Sequence, residues 1–581
     1  MHPKATTSRT TTSTMTSTMT SMTISKRMMI SRRLLRAPFL TGAFNGILEA
    51  TVFDRIRDAA VLVSACVAAC LLTLSCTEDE VHVPPTPGLL TMQETGGGVS
   101  RPVPRVTLPA SWDENWFASP AVYDLDNDGA AEIIASRHSV LYVWDTAGTL
   151  LWRAPVGENA SSGNDHGSSR MYCSPAVGDL DGDGMGEIAI AYSYRAAVYE
   201  HDGMLKAGWP RPFPGATDEI RSIAAADIDN DTRHEILVVK TSHGPVTMVW
   251  DIDGSAVPGW PQADDAEGKN DFGGYNQNIG AADLDRDGYP DIVSTYDICH
   301  IGVFRPDGSS WLADTMFAGT YASSVPLFHD IELAKQGWGP DGNDRDELTD
   351  SPPAFADMDN DGRPEIVVFS DHELAGEYRN RGNSLWVLNP DMTRVPAFAQ
   401  PLTTGMPLYT GYEENIVQVA PAPCIAPIAG QPHVVVPSYD GFLRCYAPDA
   451  SVLWRVQFDV TGGAFIGCGE AVAGDLNGDG AVELVFTTYS TMESVSHLVI
   501  LGCDGALLHR VPIEGRGSMA APTLADVDGD GVLEIVVSLK DHLGGGLGGV
   551  QVWDVPSATA GPLPWPTGRG NYCRTGEPSG S

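Results

Sequence analysis

From Asp124 onward, short β-branched runs follow acidic clusters with a regularity that governs how the rest of the chain is read. "SPAVYDLDNDGAAEIIAS" (Ser119–Ser136) passes from small residues and proline, through three aspartates on alternate positions, straight into isoleucines. Runs such as "EIIAS", "EIVVFS" and "EIVVS" have strand length and are bounded by turn residues, so each acidic cluster reads as the loop of a strand–loop–strand unit. Most units then carry a second pair of strand signals about a turn, as in "LYVWDTAGTLLW", "VTMVWDIDGSAVPGWP" and "LRCYAPDASVLW". The pattern predicts about four short strands per unit.

Seven copies of the acidic loop align without gaps, and their closer spacings, 48 to 56 residues, suit the four-stranded blades of a β-propeller. Two intervals are longer. The 74 residues from Asp283 to Asp357 accommodate one blade and an insertion at about 317–350, and the 118 from Asp357 to Asp475 accommodate two blades. The second of these, at about 419–456, keeps the proline, the β run, the "DG" turn and the late tryptophan but has lost the acidic loop. The expected fold is an all-β propeller over 104–581 with seven to eight blades. Eight are favoured; seven with an atypical end unit is the alternative.

The D-x-D-x-D-G spacing suits a hard cation. Positions 1, 3 and 5 of a tightly wound loop converge, glycine at position 6 permits the bend, position 7 offers a carbonyl, and an acid at position 9 closes the set. The candidate ligands are Asp124, Asp126, Asp128 and Glu132; Asp179, Asp181, Asp183 and Glu187; Asp227, Asp229, Asp231 and Glu235; Asp283, Asp285, Asp287 and Asp291; Asp357, Asp359, Asp361 and Glu365; Asp475, Asn477, Asp479 and Glu483; and Asp526, Asp528, Asp530 and Glu534. All-oxygen donors in a flexible loop favour calcium, up to about seven ions, over zinc or magnesium. An EF-hand would need a bidentate Glu at position 12, where Ala135, Ile190, Val238, Ser294, Val368, Phe486 and Val537 stand instead. Thr232 replaces the glycine of the third loop and Asn477 an aspartate of the sixth, so five loops are expected to bind well, with dissociation constants of roughly 0.1–1 mM.

Charge and the N-terminus place the chain. Lys and Arg number 36 against 75 Asp and Glu, a net charge of −39, which repels a phosphate backbone and argues against a nucleic-acid partner. Residues 1–58 are basic and, over the first 36, rich in Thr, Ser and Met, and read as a disordered leader. The apolar run of 59–76, "AAVLVSACVAACLLTLSC", has signal-peptide length and is short for a membrane span, and 77–103 reads as a linker. Seven cysteines lie beyond Cys76 in no zinc or redox spacing, and buried free thiols are the expectation for most.

The apolar run resembles a bacterial lipoprotein signal, which implies cleavage before a lipidated cysteine. Cys66, Cys70 and Cys76 are the candidates, with Cys76 preferred because cutting earlier leaves "LLTL" exposed; a simple membrane anchor is the alternative. The repeats resemble FG-GAP or VCBS-type units, the calcium-loop blades of integrin-α-like propellers, over roughly Pro104 to Gly576. The closing "PWPTGRGNYCRTG" (Pro564–Gly576) is similar to a W-P-x-x-R-G-N-x-x-R-T-G segment of bacterial propeller proteins. The resemblance implies structural calcium and a binding, adhesion or scaffold role in the envelope, as an outer-membrane or surface lipoprotein or a secreted protein. Membrane contact would then come only through the lipid anchor.

No nucleophile elbow, phosphate loop, HExxH or CxxC pattern occurs, and no catalytic residue is assigned. The enzyme alternative is a polysaccharide lyase, because some rhamnogalacturonan lyases also resemble this chain as eight-bladed propellers with similar calcium loops. A protein or polysaccharide ligand would meet the rim of the central channel, where Arg170, Arg221, Asn276, Asn278 and Glu470 precede the innermost strands and His166 lies near. Trp209 and Trp260, in "GWP" turns that recur with the repeat, read as blade packing; Trp112, Trp116 and Trp338 stand outside the repeat and are candidates for stacking on sugars.

Overall fold

The β runs after the acidic loops become the second strand of each blade. Glu132–Arg137, Glu187–Tyr192, Glu235–Lys240, Asp291–Thr295, Glu483–Ser490 and Glu534–Ser538 are buried at every position. A strand with neighbouring blades against both faces has no solvent side, which is why these segments read as continuous apolar runs rather than alternating ones. The computed structural model describes residues 88–579 apart from 111–114, 116, 162–165, 263–271, 338–343, 375–379, 409–421, 459–465, 491–495, 541–548, 557–558 and 560. These belong to the unit Val83–Ser581. The leader, the apolar run with Cys66, Cys70 and Cys76, and Trp112, Trp116 and Trp338 lie outside the described residues. No described helix is long and apolar enough to cross a membrane.

Eight antiparallel sheets form the ring. Their innermost strands are Ala121–Tyr123, Ala176–Gly178, Ile220–Ala226, Ile279–Ala282, Ala354–Ala356, Cys424–Ile428, Val472–Gly474 and Thr523–Ala525, one for each of blades 1 to 8. The inner strand of blade 8 packs against that of blade 1, so the ring closes. Blades 3 and 4 keep three full strands, with the fourth reduced to bridges such as Thr247 to Gln262 and Phe304 to Ser310. Blade 6, expected from its degenerate unit, is a complete four-stranded sheet. In place of the acidic loop it turns through Ala429 and Gly430 at φ 52° and 76°, a two-residue hairpin between the paired Ile428 and Gln431.

Two features were not read from the sequence. The outer strand of blade 8 comes from the other end of the chain: Val103–Pro109 pairs antiparallel with Gly549–Asp554. Residues 88–101, which the sequence reading gave to a linker, lie against blades 6 and 7, with Leu89 and Val99 buried in their core and the Thr95 amide donating to Leu507 O. The insertion adds a short helix, Ile331–Ala334, and a strand, Asp344–Glu347, that pairs with the far half of Glu365–Leu374 and so widens blade 5.

Tryptophans staple neighbouring blades. Trp209 Nε1 donates to Ile252 O (2.7 Å) and Trp260 Nε1 to Pro306 O (3.0 Å), and their rings meet Trp250 and Phe304 edge-on, as the recurrence of the "GWP" turns implied. Cys173, Cys299, Cys424, Cys445 and Cys468 are buried free thiols.

Candidate metal loops and the channel mouth

The seven acidic loops share one hydrogen-bond scheme. The position-1 aspartate accepts the position-6 amide at 2.9–3.1 Å in every loop, from Asp124 with Gly129 to Asp526 with Gly531. The position-5 aspartate accepts the position-7 amide at 2.8–3.0 Å. The closing glutamates accept the position-2 amide at 2.6–2.9 Å, as Glu132 does from Leu125. Position 6 has φ between 75° and 96°, as the sequence required of it. Position 4 is also left-handed in all seven loops, and six of its residues are Asn or Gly (Asn127, Gly182, Asn230, Asn360, Gly478, Gly529), with Arg286 the exception. That preference was visible in the alignment and is a second signature of the turn.

Not every expected ligand converges. In the loops of blades 1, 2 and 3, oxygens of positions 1, 3 and 9 lie within 4.8 Å of one another, whereas in blade 5 all four of Asp357, Asp359, Asp361 and Glu365 do so. The donor set fits a hard cation. Asp179 Oδ1, Glu187 Oε1, Asp285 Oδ1, Asp291 Oδ2, Glu365 Oε1 and Asp526 Oδ1 are buried and accept no hydrogen bond, a costly arrangement for carboxylates unless positive charge joins them. Burial, opposed by the loop amide and reinforced by neighbouring aspartates, raises Glu365 and Glu483 to about 7 and Glu235 to about 8.

Some loops carry a built-in cation that the sequence reading did not anticipate. Lys206 Nζ lies 2.6 Å from Asp181 and 3.7 Å from Glu187, and Arg105 sits 2.9 Å from both Asp528 and Glu534. Both come from segments outside their loop, so no local motif signals them. Asn477 donates its amide N–H to Glu483 Oε1 (3.1 Å) and accepts the Asp479 amide.

The centre of the ring is filled by the C-terminal tail. Its carbonyls accept inner-strand amides in ring order: Trp565 from Ala473 of blade 7, Pro566 from Leu524 of blade 8, Tyr572 from Val177 of blade 2, Cys573 from Ala225, Thr575 from Ala281 and Gly576 from Phe355 of blade 5. The Ser579 amide then donates to Pro564 O and closes the circle. Arg574 spans blades 1 and 2 by donating to Pro175 O, Pro120 O and the tail's own Thr567 and Gly568; Arg569 donates to Gln277 O and Ile279 O of blade 4. Both guanidiniums are buried, and desolvation lowers Arg569 to about 9 and Arg574 to about 10. Space is tight enough that a Cβ on Gly280 would stand 2.4 Å from Thr575 O.

The expected rim residues divide. Glu470 is buried and belongs to the tail's socket, accepting Trp565 Nε1 (3.0 Å) and the Arg569 amide (2.8 Å). Asn278 is also buried and donates to Leu348 O. Arg170 and Arg221 come together over the Tyr172 ring, at 5.4 and 4.0 Å from its centroid, and Arg221 also lies 5.3 Å from that of Tyr275. Beside them Asn276 Nδ2 donates to Asp350 (2.5 Å), whose carboxyl burial raises to about 6. A shallow depression with room for about one water, lined by Phe117, Asn276, Gln277, Asp350, Glu470 and Met519, lies beside this pair. His166 is exposed.

The FG-GAP-like repeat family matches residues 179–238 and 475–537, the segments holding the loops of blades 2, 3, 7 and 8. No curated protein matches the chain in sequence. Among solved structures, it is similar to the V. cholerae biofilm matrix protein Bap1, at 15% identity over 80% of this chain and 92% of that one (TM-score 0.37). It is also similar to the Bacillus licheniformis rhamnogalacturonan lyase PL11, at 16% over 79% and 76% (TM-score 0.44), and to BBS1N crystallised with ARL6DN, at 10% over 79% and 98% (TM-score 0.40). At such identities the likeness is one of fold alone.

Proposed function

This chain is an FG-GAP β-propeller, and on that premise we propose that it is a calcium-stiffened binding module of the bacterial cell envelope, anchored through a lipidated Cys76. The carboxylates of the seven loops would hold the ions, and calcium, when bound, supplies the positive charge that their partnerless oxygens need. The tail occupies the channel, so a ligand is met at the mouth. The observation that carries the binding role is the meeting of Arg170 and Arg221 over Tyr172, with Arg221 also beside Tyr275 and paired with Glu219 at 2.6 Å, a guanidinium and aromatic cluster on a chain of net charge −39. Planar guanidiniums beside aromatic rings suit an anionic polysaccharide, which offers both carboxylates and apolar sugar faces.

Polygalacturonate immobilised on beads should retain the calcium-loaded protein, neutral dextran should not, and R170A/R221A should abolish retention. Equal retention of wild type and the double variant sinks this reading. In the envelope fraction, C76S should move the protein from membrane to soluble material.

The second reading is a rhamnogalacturonan-type lyase, favoured by the same arginine pair, which could neutralise a uronate carboxylate while a base removes the adjacent proton. Against it, burial raises Tyr275 above the ordinary tyrosine range, the wrong direction for a base. Unsaturated product absorbance during incubation with pectic polysaccharide would establish lysis; a binder generates none.

A further inference from the structure

Blade 5 carries a group of different chemistry from the acidic loops. His329 lies just before the short helix of the insertion, Asp346 on the inserted strand, and His372 on the second strand of the blade, where Asp346 and His372 are directly paired across the antiparallel ladder. One ring nitrogen of each histidine and one oxygen of the aspartate lie within 4.8 Å of one another, and His329 Nε2 is 2.9 Å from Asp346 Oδ2. The two imidazoles stack with centroids 4.4 Å apart. Asp346 is fully buried and His329 and His372 are half-buried, so the group opens toward solvent on the histidine side.

The aspartate is held by a second layer. Ser384 Oγ donates to Asp346 Oδ1 (3.1 Å) and Trp386 Nε1 to Oδ2 (2.5 Å), which fixes the carboxylate and leaves its orientation no freedom. Arg394 donates to the carbonyls of Phe328 and His329 and lies over the Trp386 ring, pinning the segment that presents His329. The two imidazole donors favour late first-row divalent metals over calcium.

We propose that His329, Asp346 and His372 form a transition-metal site of zinc type, with three protein ligands and an open coordination position. The donor set, two imidazoles and one carboxylate with a supporting hydrogen-bond layer, is that of sites that keep a place for water or a ligand. It is independent of the acidic loops, because nitrogen donors distinguish it from every one of them.

The test uses the full chain in millimolar calcium, so that the oxygen-only loops are filled. Titration with cobalt(II) should give a visible spectrum of nitrogen-ligated metal at one equivalent, displaced by zinc. H372A should abolish it, and S384A should weaken binding about 10–100-fold while preserving the spectrum. A variant-free measurement guards against misfolding: zinc should protect both His329 and His372 of the wild type from diethyl pyrocarbonate, read by peptide mass spectrometry. Absence of a nitrogen-ligated spectrum, its persistence in H372A, or unchanged modification of the two histidines overturns the proposal and leaves a hydrogen-bonded His–Asp pair.

Discussion

Two rings of polar groups brace the inner strands of the blades other than blade 6, and they meet the same electrostatic need in opposite ways. At the ends of seven strands stand acidic loops, several with buried oxygens that accept no hydrogen bond; Lys206 and Arg105 bring positive charge to the loops of blades 2 and 8, and the proposed calcium would bring it from outside. Alongside the strands lies the tail, whose Arg569 and Arg574 saturate backbone carbonyls of blades 1, 2 and 4 with charge the chain carries itself. One ring should answer to calcium and pH, the other to neither. Blade 6 shows that an acidic loop is not needed to make a blade, since a two-residue hairpin serves there. The loops are therefore an addition to the fold rather than its precondition.

The largest expected effect is calcium removal. With about 10 mM calcium and dissociation constants of about 0.1–1 mM, each occupied loop adds roughly 1.4–2.7 kcal/mol, so five loops together approach the whole stability of an ordinary domain. Chelation should lower the melting temperature steeply. In hydrogen exchange, amides of loop residues such as Gly129, Gly362 and Gly531 should lose protection first, and the blade 6 hairpin and the tail-bonded amides of Val177 and Ala281 last. Identical melting with and without chelator would erase the distinction between the rings.

Next comes Arg574→Ala. It leaves Pro175 O and Gly568 O without the donor that Arg574 gives them, at about 1–3 kcal/mol each, while Pro120 O keeps the Thr523 and Thr567 hydroxyls, for an expected loss of roughly 2–5 kcal/mol. The same loss should appear in denaturant titrations with calcium and with chelator. A loss seen only in calcium would mean that tail and loops act as one device.

pH separates them further. Without calcium, burial holds Glu187, Glu365, Glu483 and Glu534 at about 7 and Glu235 at about 8, against about 4.3 for an unfolded glutamate. The folded state then binds more protons between about pH 4.3 and 8, so the contribution of these groups is full below about pH 4.3, falls across that window and is gone once pH has passed 7 to 8. With calcium the slope reverses, because protons compete for the same oxygens. The two arginines, at about 9 and 10, stay charged from pH 5 to 8 and add no slope. Melting curves at several pH values should cross between the calcium and chelator series.

The contrast also explains what the sequence disclosed. Each acidic loop is local: nine residues contain its carboxylates, its bend and its closing acid, so alignment of seven copies exposed the unit, the blade count and the candidate ligands. The tail's partners lie hundreds of residues away, as Arg574 and Pro120 illustrate, and "PWPTGRGNYCRTG" signals its arginines without signalling their carbonyls. The closing strand Val103–Pro109 was hidden for the same reason, whereas Lys206 and Asp181, 25 positions apart, and His329 and Asp346, 17 apart, were hidden because no repeated motif links them. Polar residues before the inner strands were legible as a set, but only the structure sorts Glu470 into the socket and Arg170 and Arg221 into a half-buried cluster over Tyr172.

Within the acidic ring, the smallest and most local test is Thr232→Gly. Thr232 holds φ 75°, a region where a β-branched residue is strained by roughly 1–2 kcal/mol, yet its amide still reaches Asp227 at 3.0 Å, so the loop keeps its shape against its own residue. The equivalent glycines, such as Gly129 and Gly362, would meet nothing within 4 Å of an added Cβ, so the cost lies in the backbone and not in crowding. Glycine removes that strain but loses about 0.5–1 kcal/mol of chain entropy on folding. The net gain should be about 0.5–1 kcal/mol without calcium. If strain relaxes the loop toward its ligands, calcium should widen the gap. A variant less stable than wild type in chelator would show that Thr232 makes a compensating contact, and the third loop would no longer be the weak member of the ring.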